Sequence, residues 1–174
     1  MRTGIDLIDP PTRKKTLLNL GCGSAAGKIP GVVNVDIQPF PNVDVVCDLN
    51  ELWPFEDSSV DGVLACNIVE HLPNKVHVMN EAWRVLKDGG ILTVLVPDAT
   101  RSGWAFADPT HVSYWSLEGF WFFTKEYAYK VQEEGFDGYK RNMGIRCLYR
   151  LDDNYEWDNE GNLKVTLKAE KGET

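Results

Sequence analysis

No apolar run in this chain approaches the ~20 residues needed to span a bilayer. Met1–Pro10 carries no apolar core of the kind that marks a secretory leader. Cysteine is sparse. Cys22, Cys47, Cys66 and Cys147 form no Cys-x-x-Cys pair and no zinc spacing. Three of them fall in or beside expected strands, where Cys behaves as a small apolar residue. Four reduced thiols and a cytoplasmic protein are the expectation. Positive charge is also in short supply: 18 Lys and Arg face 26 Asp and Glu, a net charge of −8. That balance disfavours a broad phosphate-tracking surface, and nucleic acid as a partner with it. Lys140, Arg141, Arg146 and Arg150 could line a local basic patch, but a solvated strand face explains them more simply. Two nucleotide motifs are missing as well. There is no Gly-Lys-Ser/Thr P-loop and no third glycine of a Gly-x-Gly-x-x-Gly turn, which disfavours nucleoside triphosphates and dinucleotides.

What is present suits one globular domain over residues 1–174, long enough to bury ~70% of the unfolded surface without staples. Residues 1–15 are polar and Pro-containing, an extended arm. Strands are expected at Thr16–Leu20, Val32–Ile37, Val43–Cys47, Gly62–Cys66 and Ile91–Val96. Asn50–Trp53 has room for one helical turn before Pro54. The clearest helix covers about Asn74 to Lys87, with Val76, Met79, Trp83 and Leu86 on one face and Asp88-Gly89-Gly90 as its stop. Thr100–Val112 reads as a binding loop. A second helix is expected from Ser116, its N-cap, to Glu134, closed by Gly135, with Leu117, Phe120, Trp121, Thr124, Ala128 and Val131 on a common face. From Phe136 onward the pattern suggests two or three antiparallel strands, best at Arg146–Leu151 and Leu163–Lys168, with Asp158–Gly161 as turn material.

Leu18-Asn19-Leu20-Gly21-Cys22-Gly23 followed closely by Val32–Asp36 is the most informative stretch. Two glycines after a buried strand let the backbone turn sharply and approach a ligand. An acid at the end of the next strand suits ribose hydroxyls. Only twelve residues separate Gly23 from Asp36, which barely accommodates a crossover helix. One sheet face should therefore be thinly covered, and the arm or a second subunit is expected to cover it.

These residues, with several later ones, resemble the class I, Rossmann-like S-adenosylmethionine-dependent methyltransferases, in a shortened type-11-like form. The likeness runs from about Leu17 to Val96. Leu18–Gly23 is similar to the family's glycine motif, Val35-Asp36-Ile37 to its ribose-binding acid, and Cys47-Asp48-Leu49 to its adenine contact. Phe55–Asp61 leads into the fourth strand as in the family. Asn67-Ile68-Val69-Glu70-His71-Leu72 resembles the turn beside the methionine part, and Glu81–Gly90 the helix-to-strand corner. The resemblance implies an α/β, Rossmann-like, mostly parallel sheet with antiparallel C-terminal strands and reduced helices on one face. It divides the chain into a cofactor-binding half, 16–98, and an acceptor-binding loop, helix and strands, 99–174. It further implies S-adenosyl-L-methionine as cofactor, held by Asn19, Gly21, Cys22, Gly23, Asp36, Ile37, Asp48, Leu49, Asn67 and His71. One departure stands out: the family's acid two residues before the first glycine is Asn19 here, an amide that offsets no sulfonium charge.

Beyond the fifth strand, Asp108-Pro109-Thr110-His111 is the best candidate for catalysis, His111 as a near-neutral general base and Asp108 as its orienting partner. Asp98, Trp104, Tyr114 and Trp115, with Phe106, could wall a planar or apolar acceptor. No metal site is assigned, because loop spacing alone does not join Asp98, Asp108 and His111. The expected reaction is methyl transfer to an oxygen or nitrogen of a small-molecule or glycan-like acceptor. A non-catalytic cofactor-binding or interaction module and another Rossmann-type nucleotide-dependent enzyme are the rival readings.

Overall fold

A computed structural model describes residues 15–125, 136–151 and 154–172. Most of the arm 1–15, and the part of the expected second helix that lies in 126–135, fall outside the described residues. Five strands run parallel: β1 (Leu17–Leu20), β2 (Val32–Asp36), β3 (Val45–Val46), β4 (Val60–Cys66) and β5 (Leu86–Pro97). Three C-terminal strands complete the sheet: β6 (Tyr149–Arg150), β7 (Tyr155–Trp157) and β8 (Asn162–Ala169). The order is β3-β2-β1-β4-β5-β8-β6, with β7 on the same edge of β8 as β6. β8 is antiparallel to β5, pairing Ile91 with Lys168 through Pro97 with Asn162. The expected fold class is the one observed.

Alternation sets the two faces of the sheet. Leu18, Leu20, Val63, Ala65, Leu92, Val94, Leu163, Val165 and Leu167 are buried. Burying each of the Leu and Val side chains among them favours folding by ~1.5–3 kcal/mol. Helix α1 (Lys75–Val85) packs on this core through Val78, Met79, Ala82 and Val85. Asn74 caps it by accepting the His77 N–H. The register of that face is one step from the expected one: Val76 and Trp83 are only half-buried. Trp83 sits at the margin, where its indole N–H reaches the Glu170 carbonyl at 3.1 Å and the Lys171 ammonium lies over its ring. The other sheet face carries Leu17, Leu64 and Ile91, each more than a third exposed. Among the described residues no helix joins β1 to β2 or β2 to β3, so nothing in those connections covers it.

Three expected elements change. Asp88-Gly89-Gly90 does not end the helix; α1 stops at Val85 and β5 begins at once. The pairing jumps from Val60–Leu86 to Gly62–Ile91, so 87–90 bulge out of the strand, with Gly89 at φ +71°. The second helix is interrupted. Ser116 caps α3 (Leu117–Trp121) as expected, accepting the Gly119 N–H, but Thr124 then pairs with Tyr149 in a β-bridge. Lys140 Nζ donates to the Thr124 carbonyl at 3.0 Å, so tertiary pairing there outweighs helical propensity. After Phe136 a short helix (Phe136–Asn142) precedes the strands, and the strand expected over Arg146–Leu151 shrinks to Tyr149–Arg150.

An ion pair locks α1 to the approach to β4. Buried Glu81 accepts the Trp53 N–H at 2.9 Å and both Nε and a terminal N–H of Arg84, at 2.9 and 2.8 Å. Arg84 also donates to the Trp53 and Phe55 carbonyls and to Asp57. Burial works against ionised Glu81, but the Arg84 bonds outweigh it and hold the carboxyl below its usual range. Its stabilising effect is therefore present at neutral pH and lost as pH falls through the lowered value. Arg84→Met should cost about 3 kcal/mol at pH 7 by stranding Glu81, and distinctly less near pH 3. Urea titrations at the two pH values check this; equal losses at both would contradict it.

Candidate active site

The carboxyl ends of β1, β2 and β4 form the first half of the site, where parallel sheets of this kind bind ligands. Gly21 and Gly23 have φ of +60° and +62°. A Cβ on Gly21 would stand 2.6 Å from the Ile68 side chain, while the space over Gly23 is open. Asp36, 8% exposed, accepts the Gly23 N–H at 2.8 Å and the Gln38 N–H at 2.9 Å. Those bonds fix the carboxylate at the mouth of the cradle with lone pairs to spare. Ile37 next to it is 56% exposed, an apolar shelf at a strand end. Asn42, which sequence reasoning missed, donates to the Gly23 carbonyl at 2.7 Å, and its buried Oδ1 has no partner. An open glycine cradle, a fixed carboxylate and an unpartnered amide oxygen fit a ribose-bearing ligand.

The remaining residues of that half are placed unevenly. Asn19 donates to Asn34 Oδ1 across to β2 at 3.1 Å, so one of its two amide N–H groups is used within the sheet. Burial and the Asp36 charge push the Cys22 thiol up, which keeps it protonated. Asp48 is exposed and accepts both the backbone and side-chain N–H of Asn50 at 2.9 Å, a turn contact. Leu49 is buried, its carbonyl holding the Trp53 indole. Asn67 adopts φ +50°, the left-handed turn that ends β4 and starts the single 3-10 turn Val69–His71.

That turn makes the second half of the site. The Glu70 carbonyl accepts the N–H groups of Val112 and Ser113 at 2.9 and 3.0 Å. The Val69 carbonyl accepts the Ser113 hydroxyl at 2.9 Å and the Trp115 indole at 3.4 Å. The loop after β5 is thereby stitched onto the turn after β4, and three titratable side chains meet. The His71 and His111 rings lie edge to face at 4.9 Å. One donor atom each of Glu70, His71 and His111 falls within 4.8 Å of the others. His71 Nδ1 is 3.2 Å from both the carbonyl and the hydroxyl oxygen of Thr110. His111 Nδ1 is 3.2 Å from the Ala105 carbonyl. Glu70 is 2% exposed, and its Oε2 has no partner. Burial pushes its carboxyl up.

Asp108 does not orient His111 as expected. The gap from its Oδ2 to His111 Nε2 is 3.8 Å, beyond a hydrogen bond. Its Oδ1 instead accepts the Thr110 N–H and hydroxyl at 2.8 and 2.6 Å, which hold the Asp108 carboxyl low. The Ala105 carbonyl is what faces the His111 Nδ1. Asp98 and Trp115, expected to line the acceptor site, are each 1% exposed. Asp98 uses Oδ1 on Thr100 and Oδ2 on the Trp157 indole, tying the loop to β7. Trp115 stacks on Phe120 at 4.7 Å inside the core. Trp104 and Tyr114 do remain exposed, and Tyr114 stacks against Phe106 at 4.7 Å. A groove of about 800 Å³ beside them is lined by Lys75, Val112, Ser113 and Tyr114. Another of about 640 Å³ lies on the outer side of α1 by Asn80 and Arg84, away from the glycine cradle. Glu70, like Asn42, is a residue that sequence reasoning passed over. It stands beside His71, but its meeting with His111 depends on a loop forty residues on.

Residues 18–94 match the model of a methyltransferase domain family, Methyltransf_11. Over 60 residues the chain is 38% identical to a protein of Mycolicibacterium smegmatis named as a probable S-adenosylmethionine-dependent methyltransferase. That stretch is 34% of this chain and spans about a quarter, 23%, of the relative. The fold is similar to a chain in the complex between the Trm112 methyltransferase activator and a proposed methyltransferase of Haloferax volcanii (TM-score 0.62, 16% identity, 92% of this chain and 84% of that one). It is also similar to a SAM-dependent methyltransferase of Archaeoglobus fulgidus (0.57, 19%, 88% and 86%). A third is the 1,6-didemethyltoxoflavin-N1-methyltransferase of Burkholderia thailandensis, solved with S-adenosylhomocysteine (0.57, 14%, 91% and 72%). The resemblance drawn from the motifs is borne out.

Because burial raises the Glu70 carboxyl, the native protein keeps that proton to higher pH than the unfolded chain. The stability tied to the proton is full below the unfolded value and lost as pH rises through the raised one. Glu70→Gln, in chelator-treated protein, should flatten that decline and melt higher than wild type at pH 7. Thermal melts from pH 4 to 8 check it; an unchanged slope would contradict it.

Proposed function

We propose that this chain, built on a methyltransferase domain over residues 18–94, transfers the methyl group of S-adenosylmethionine to an oxygen or nitrogen of a small-molecule acceptor. The observation that carries the proposal is the pairing of two halves across one sheet edge. The open Gly21–Gly23 cradle with Asp36 lies on one side, the Glu70–His71–His111 cluster on the other. Asp36 receives the ribose hydroxyls, Ile37 and the Asp48-Leu49 turn flank the base, and Asn67 and His71 border the methionine end. When bound, the cofactor supplies a sulfonium methyl that is already electrophilic. The protein's task is alignment and removal of one proton.

With His111 Nδ1–H donated to the Ala105 carbonyl, Nε2 carries the free lone pair. That nitrogen would take the proton from the acceptor O–H or N–H as the acceptor receives the methyl group that the bound cofactor would supply. Trp104, Phe106 and Tyr114 offer aromatic faces to a planar or glycan-like acceptor. Support for a small-molecule acceptor comes from the neighbour solved with bound 1,6-didemethyltoxoflavin. A cytoplasmic setting agrees with four free thiols, and among the described residues no helix is long and apolar enough to cross a membrane. The sheet face around Leu17, Leu64 and Ile91, each more than a third exposed among the described residues, suits a second copy of the chain; light scattering should return a dimer, and a monomer would contradict it.

Calorimetric titration should give one S-adenosylhomocysteine per chain and no response to NAD. Gly21→Ala should weaken that binding about tenfold or more, since the new methyl must displace Ile68 at a positive φ. His111→Ala should bind S-adenosylhomocysteine normally and lose about a hundredfold or more in turnover on any acceptor found. Tight NAD binding without a response to S-adenosylhomocysteine would overturn the proposal.

A further inference from the structure

We propose that Glu70, His71 and His111 form a binding site for one divalent first-row transition metal, such as zinc, at the acceptor end of the site. Metal-ligating histidines commonly donate one ring N–H to a backbone carbonyl or carboxylate, which fixes the tautomer and aims the other nitrogen at the ion. Both histidines here are arranged that way. His71 Nδ1 faces the Thr110 carbonyl and hydroxyl, and His111 Nδ1 faces the Ala105 carbonyl, each at 3.2 Å. The Thr110 hydroxyl is itself anchored by donation to Asp108 at 2.6 Å. Each Nε2 is left as an unprotonated donor.

The independent observation is Glu70. Its side chain is almost wholly removed from solvent, and Oε2 lacks any hydrogen-bond partner, so a buried lone pair goes unused. Such a group ordinarily costs stability unless something fills the vacancy in its coordination. A carboxylate and two imidazoles are a donor set that suits zinc, iron(II) or cobalt(II) and is too nitrogen-rich for magnesium or calcium. One ligating atom of each of the three side chains now lies within 4.8 Å of those of the other two. Ligands each about 2.0–2.1 Å from a tetrahedral ion stand about 3.3 Å apart. Modest side-chain rotation, chiefly of half-buried His71, closes the difference. Asp108 Oδ2, a further carboxylate oxygen, stands 3.8 Å from His111 Nε2, and an acceptor oxygen or water would take the open position.

The site rests on the methyl-transfer reading only for what the ion would do there. With an ion bound, His111 Nε2 would be a ligand and could not also act as the base; the positive charge would instead lower the pKa of an acceptor hydroxyl, whose proton would pass to solvent.

The test is titration of the full, chelator-stripped chain with cobalt(II), followed by visible absorption. The proposal expects one site per chain, d–d bands of a four- or five-coordinate nitrogen–oxygen complex, and displacement of cobalt by zinc. The chain has three histidines, so each is tested singly. His71→Ala, His111→Ala and Glu70→Gln should each weaken cobalt binding about tenfold or more. His77→Ala, whose imidazole reaches the Glu51 carbonyl instead, should leave it unchanged. S-adenosylhomocysteine binding is measured on the same samples. If it persists while wild-type protein takes up no cobalt, the metal site is wrong and the cofactor reading stands. A sulfur-to-cobalt charge-transfer band, placing the ion on a cysteine, would also overturn the proposal, as would full-strength binding by His111→Ala.

Discussion

Two backbone carbonyls, those of Val69 and Glu70, hold the candidate active site together. Between them they accept four hydrogen bonds from Val112, Ser113 and Trp115. The 3-10 turn that ends β4 and the loop that follows β5 thus behave as one piece. Without that stitching, His111 would sit on a loop with no fixed relation to His71 or Glu70. With it, Glu70 and His71 share a volume a few ångströms across with His111, forty residues further along the chain. The buried Trp115 ring adds the apolar anchor, stacked on Phe120 and donating its indole N–H to the Ser113 hydroxyl.

The sheet supplies the other constraint. Its parallel half uses one full crossover helix, α1, and that helix carries the Glu81–Arg84 lock on the segment before β4. The connections around β2 hold turns and, among the described residues, no helix. The carboxyl ends of β1 and β2 are therefore held by direct polar contacts rather than by helix packing. Asp36 grips Gly23, Asp44 grips the Asn34 backbone and Lys28, and Asn42 grips the Gly23 carbonyl. A short chain keeps a formed glycine cradle in this way.

What could be read from the sequence followed how local its cause was. Gly21, Gly23 and Asp36 announce a strand–turn–strand unit within twenty residues, and the structure builds that unit. Ser116 and Asn74 act as the helix caps they resemble. Asp88-Gly89-Gly90 misleads because glycines permit a strand bulge as readily as a helix end, and pairing with β4 decides between them. The long helix after Ser116 fails at Thr124 because Tyr149, distant in sequence, offers it a strand partner. Asp98 and Trp115 carry chemistry that suits a binding loop, yet their hydrogen bonds and stacking turn them inward. Glu70 carries no signal beyond its neighbour, since its burial and unused oxygen arise only when the loop after β5 closes over it.

The central claim is that a nucleoside-bearing methyl donor lies across the Gly21–Gly23 cradle with its reactive end toward the histidine cluster. A crystal structure with S-adenosylhomocysteine bound tests it most directly. The ribose hydroxyls should lie within hydrogen-bond distance of Asp36, and the sulfur should face His71 and His111. A ligand seated in the groove outside α1, or a sulfur turned away from both histidines, would contradict the account.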